Sequence, residues 1–131
     1  MTRMLLVLAG IFGLLAVIAG TFGAHGLEGR VTPHQLDIFD TGQRYHMYHA
    51  LALLACAALS AHRPSRPLAA AGACFAGGIV LFSGSLYLLS LTGIDGLGMI
   101  APIGGTLFII GWVLLLVAAG TRRPGDEPAA T

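Results

Sequence analysis

The residues with the most chemistry in this chain lie between Asp40 and Leu54, a stretch that begins polar and turns apolar within two helical turns. Arg44, Tyr45, His46, Tyr48 and His49 crowd its border. On a helix His46 and His49 are i,i+3 neighbours and Tyr45 and His49 are i,i+4 neighbours, so each pair shares a face. His25, at the far end of an earlier apolar run, is a further imidazole. Three uses are open to such a set. His25, Arg44, Tyr45, Tyr48 and His49 could bind a small molecule, a quinone or a lipid headgroup. His25, His46 and His49 could ligate a metal, with Glu28, Asp37, Asp40 or Asp95 as carboxylates. Haem is the weaker version, because it needs two axial histidines on different helices and the last two apolar runs contain none. The third use is structural: Asp40, Arg44, Tyr45 and His49 pin a loop to a packed body, and His25 caps a helix end. Nucleophilic catalysis has almost no support. Ser83 and Ser85 have no acidic neighbour and no G-x-S-x-G turn, and Cys56 and Cys74 lack C-x-x-C spacing.

Composition decides what surrounds these residues. The chain has 131 residues, of which 56% are hydrophobic and 10% charged, with a mean hydropathy of +0.82. Soluble domains carry about 25% charged residues. So few charges cannot cover a soluble surface, and the class implied is an all-α integral membrane protein in contact with a lipid bilayer. The net charge of +1 leaves no basic field for nucleic acid. A proton-coupled pump would be expected to carry an acid within the membrane, and all six acids fall in loops or the tail.

Four apolar runs divide the chain. The first, residues 4–22, is 19 residues without a charge, enough for a hydrocarbon core of ~30 Å. Arg3 before it also gives it the look of a signal peptide's first two regions; it is read here as a transmembrane helix. Ala9 with Gly13, and Ala16 with Gly20 and Ala24, form small-residue ridges suited to close helix contact. The second, third and fourth spans are expected at about 43–61, 68–91 and 97–119, which makes residues 1–120 a single four-helix bundle. Between the first two, Thr32-Pro33-His34-Gln35 has the form of a capping box. It opens a short helix between helices 1 and 2, expected to lie along the membrane interface. Asp40 with Gln43 reads as a second cap that starts the second span. Tyr87 suits the outer aromatic belt, whereas Trp112 is too central for a belt, so its indole N–H should seek a partner inside the bundle. Residues 121–131 form a polar tail. Arginines set the orientation: Arg3, Arg63, Arg66, Arg122 and Arg123 fall on one side, Arg30 and Arg44 on the other. That bias places both termini, and the tail, in the cytoplasm.

Four blocks carry a resemblance. They are Thr21 to Leu27 (TFGAHGL), Phe39 to Leu54 (FDTGQRYHMYHALALL), Leu81 to Gly93 (LFSGSLYLLSLTG) and Leu97 to Trp112 (LGMIAPIGGTLFIIGW). Together they resemble the YgdD/YwdK family of small four-helix inner-membrane proteins, over residues 4–117. The resemblance implies a four-helix membrane protein of uncharacterised function, names no cofactor and supplies no activity. His25, Tyr45, Tyr48 and His49 match its pattern; His46 stands where the family usually has Gln. The expectation is therefore a structural or accessory subunit, or a homo-oligomer, rather than an enzyme. The alternative is ligand binding at the outer-face cluster.

Overall fold

The computed structural model describes residues 1–120; the expected tail, 121–131, lies outside the described residues. Among the described residues the chain is all helical, with four long helices and no strand. Helix α1 runs Thr2–Thr21 and continues into a π-helical turn, Phe22–Gly26. Helix α2 is Pro33–His62. Helix α3 runs without a break from Arg66 to Thr92, through a π-helical segment at Ile79–Ser83. A 3₁₀ turn, Asp95–Met99, leads into helix α4, Ala101–Gly120. Three stretches, Thr2–Gly26, Arg66–Thr92 and Asp95–Gly120, are long and apolar enough to cross a membrane.

The expected capping box is present and starts α2. Thr32 Oγ1 accepts from the Gln35 N–H at 3.2 Å, and Gln35 Oε1 accepts from the Thr32 N–H at 2.9 Å. Beyond this cap the helix departs from the expectation. There is no separate short interfacial helix and no second start at Asp40; α2 is continuous for 30 residues. Local propensity at Asp40 and Gly42 is overridden by packing. A Cβ on Gly42 would meet the Leu86 Cβ at 3.1 Å, so the helix backbone itself lies against α3 there. Gln43 is also diverted from capping, because its Nε2 donates to the Ala16 carbonyl of α1 at 3.1 Å. Gly20 leaves room for that carboxamide, which stands 3.0 Å from where a Cβ would be.

The packing is inverted relative to a soluble protein. The buried positions are mainly small, including Ala9, Ala16, Ala50, Ala57, Ala71, Ser60, Ser83 and Ser90, while Leu14, Ile103, Ile109 and Leu116 lie bare on the outside. Small residues inside and large apolar ones outside suit a solvent of lipid, where close backbone approach and dispersion hold helices together. Phenylalanines on one helix fill glycine notches on the other between α3 and α4. A Cβ on Gly111 would lie 2.6 Å from the Phe75 ring, and one on Gly78 would overlap the Phe108 ring. At Gly104 the two backbones themselves meet, since a Cβ there would collide with the main-chain nitrogen of Phe82. The turn between α3 and α4 opens on Gly93 with φ of 69°, the left-handed cap that glycine adopts without strain.

Candidate functional site

Helix α2 carries both buried histidines, and it sends them in different directions. His46 faces α1 and α3: its ring lies 5.8 Å from that of Phe12, and its Nδ1 is hydrogen-bonded to the Tyr87 hydroxyl at 2.9 Å. Its Nε2 is buried and has no hydrogen-bond partner among the described residues. Tyr87 is therefore half-buried in the helix contact rather than standing in an outer belt. His49 faces α3 and α4. It stacks on Phe108 at 3.5 Å with the rings 5° from parallel, and its centroid is 5.6 Å from that of Phe75.

The hydrogen bonds of His49 fix its chemistry. A carbonyl only accepts, so Nδ1–H donates to the Tyr45 main-chain oxygen at 2.7 Å. An indole only donates, so Trp112 Nε1–H donates a hydrogen bond to His49 Nε2 at 3.2 Å. The ring is held as the neutral Nδ1–H tautomer with both nitrogens in use. Trp112 thus has the inward partner that its central position called for.

Of the other candidate residues, His25 is exposed in the π turn that ends α1, and Arg44 is exposed on α2. Tyr45 and Tyr48 are 41% and 54% exposed, and the Tyr45 ring rests 4.9 Å from that of Phe82. Among the described residues no three His, Cys, Asp or Glu side chains come together. His25, His46 and His49 are thus not gathered around a point, although His46 and His49 were expected to share a face. Three residues along a helix leave them about 60° apart, and the two flanking helices widen that into separate environments. Cys56 is buried and Cys74 half-buried, and both are free thiols.

What does come together is a groove of about 540 Å³ between α2 and α4, with Phe82 of α3 in its wall. Tyr45, His49, Phe82, Phe108 and Trp112 supply its aromatic walls, and Pro102 and Thr106 one end. The Thr106 hydroxyl is turned back onto the Pro102 carbonyl at 2.8 Å. Of these, Tyr45 and His49 were legible as site residues. Phe82 and Phe108 were not, because an aromatic residue in an apolar run reads equally as core or lipid-facing.

The inverted packing and three helices long and apolar enough to cross a membrane mark a small integral membrane protein. Residues 19–105 match the family described as "Protein of unknown function (DUF423)", and the chain belongs to that family. It is similar to the UPF0382 membrane protein YwdK of Bacillus subtilis (strain 168), with 48% identity over 118 residues, covering 89% of this chain and 96% of the relative. A UPF0382 membrane protein of Staphylococcus aureus (strain bovine RF122 / ET3-1) is 45% identical, covering 88% and 94%. One from Staphylococcus epidermidis (strain ATCC 35984) is 44% identical with the same coverage. No solved structure matches the chain significantly.

Proposed function

We propose that the protein works by lateral assembly in the inner membrane, as a homo-oligomer or as an accessory subunit of a larger complex, and catalyses no reaction itself. In this reading it is a four-helix bundle with both termini in the cytoplasm. One observation carries it. Gly10 and Gly13 of α1 face outward, and a Cβ on either would meet nothing within 4 Å among the described residues. They border a shallow notch of about 300 Å³ with Leu6, Leu14, Leu51 and Leu54. Glycines spaced along a membrane helix, with open space where a Cβ would stand, suit the close approach of another helix. The polar seam then belongs to the fold, since His49, Gln43 and one nitrogen of His46 are satisfied within it. Chemical crosslinking in native membranes is expected to trap a discrete complex. Gly10→Leu combined with Gly13→Leu should abolish it while helical circular dichroism is retained. A strictly monomeric protein with no crosslinked partner would overturn the reading.

A second reading is favoured by the groove at Tyr45, His49 and Trp112. Its size and aromatic walls suit a ring-bearing, lipid-soluble small molecule such as a quinone. Extraction of gently purified protein should then yield such a molecule. Binding should be lost in His49→Ala and in Ile109→Trp, which fills the groove from its exposed wall without touching the His49 hydrogen bonds. Retention by both variants would remove this reading.

A further inference from the structure

The acids of the described residues all lie at one end, together with Arg30 and Arg44, whereas Arg3, Arg63 and Arg66 lie at the other. The Ser60 hydroxyl donates to Thr2 Oγ1 at 2.9 Å, which ties the start of α1, with Arg3, to the end of α2, with Arg63 and Arg66 beyond it. At the opposite end the Gln35 side chain lies near Gly93, joining the start of α2 to the turn after α3. Glu28, Asp37, Asp40 and Asp95 all belong to that opposite end. Arg63 and Arg66 are exposed, with no acidic side chain of the described residues at their end.

Beneath Arg63 the helices α2, α3 and α4 leave a groove of about 320 Å³. Its walls are Leu59, Leu68, Leu115 and Ala118, and its rim is Arg63 and Ser65. The Ser65 hydroxyl accepts from the Leu68 N–H at 3.3 Å as the cap of α3, which leaves Arg63 as the charged group of the rim. A cation over an apolar trough at the end of spanning helices matches an amphiphile of opposite charge. Such basic pockets between membrane helices are where anionic headgroups are held.

We propose that this groove is a binding site for an anionic phospholipid, with the phosphate on the Arg63 guanidinium and one acyl chain along Leu59 and Leu115. The site is independent of the lateral-assembly reading and of the aromatic groove, which lies toward the other end of α4. The apolar walls select a lipid over a free anion, because an exposed single arginine holds inorganic phosphate only weakly.

The test is native mass spectrometry of the full-length protein in neutral detergent with equimolar phosphatidylglycerol and phosphatidylcholine. Phosphatidylglycerol should be retained about fivefold over phosphatidylcholine, the factor expected for one arginine at an anionic surface. Arg63→Gln should bring the ratio to parity, and Arg3→Gln, at the same end but outside the groove, should leave it unchanged. Equal retention by the unmodified protein, or a preference that survives Arg63→Gln, overturns the proposal. So does displacement of the lipid by excess inorganic phosphate, which would make the rim a plain anion site. A photo-crosslinking side chain in place of Leu115 should label phospholipid in native membranes. Labelling of a second copy, or of residues 121–131, assigns the groove to that occupant and overturns the proposal as well.

Discussion

His49 shows how much a single imidazole is constrained by what can only donate and what can only accept. With Tyr45 C=O on one nitrogen and Trp112 N–H on the other, an imidazolium would set two N–H groups against each other. A metal at Nε2 would have to displace the indole. Imidazole ¹⁵N resonances should therefore report an unprotonated Nε2 on His49; a protonated Nε2 would contradict the assignment. Trp112→Phe keeps the ring and removes the donor. The expected loss is about 1 kcal/mol, since hydrogen bonds between membrane helices are modest while an orphaned acceptor is costly. It should appear as a lower midpoint in detergent unfolding, and an unchanged midpoint would mean that the bond contributes nothing. The sequence made both halves of this pair legible, since each is a polar group in an apolar run that needs an inward partner. It could not pair them with each other, because they are 63 residues apart and their meeting depends on the register of α2 against α4. Gln43 makes the same point: its local reading was a cap, and its real acceptor is a carbonyl 27 residues away.

At the scale of elements, glycines that look alike in sequence do different things. Gly104 sits where α4 touches the backbone of α3, whereas a Cβ on Gly84 would meet nothing within 4 Å. Gly104→Ala must push the helices apart, and overpacking of this kind costs about 1–3 kcal/mol. Gly84→Ala adds a methyl in open space within a helix and should be neutral or stabilising by up to ~1 kcal/mol. Paired thermal unfolding of the two variants checks this; equal effects would show that the α3–α4 contact is not close-packed in the membrane. The all-helical class and four helices were legible from apolar run lengths and proline and glycine punctuation. Two features were not. The π-helical segments at Phe22–Gly26 and Ile79–Ser83 each add a residue to a turn, which no periodicity in a uniformly apolar run can reveal. The continuity of α2 through Asp40 was hidden as well, because it is enforced by Leu86 and Tyr87 from outside the segment.

The molecule as a whole is organised so that its least apolar helix is the best covered. Among the described residues, only the stretches containing α1, α3 and α4 are long and apolar enough to cross a membrane unaided. Helix α2 turns His46, His49, Cys56 and Ser60 inward and leaves Tyr48, Leu51, Leu54 and Leu59 outside. Polar groups that lipid would penalise are therefore housed among the other three helices, which is the arrangement a bilayer demands. The same logic extends to charge at the two ends. With Arg3, Arg63 and Arg66 at one end, and Arg30 and Arg44 with four acids at the other, the end richer in arginine should face the cytoplasm. Single cysteines test this cleanly, because native Cys56 is buried and Cys74 half-buried. Gly96 is exposed with open space where a Cβ would stand, and Pro64 is exposed in the α2–α3 turn. Gly96→Cys should react with a membrane-impermeant maleimide in intact cells, and Pro64→Cys only once the membrane is opened. The reverse pattern would invert the orientation. Equal labelling of both in intact cells would contradict a chain whose two ends lie across a bilayer from each other.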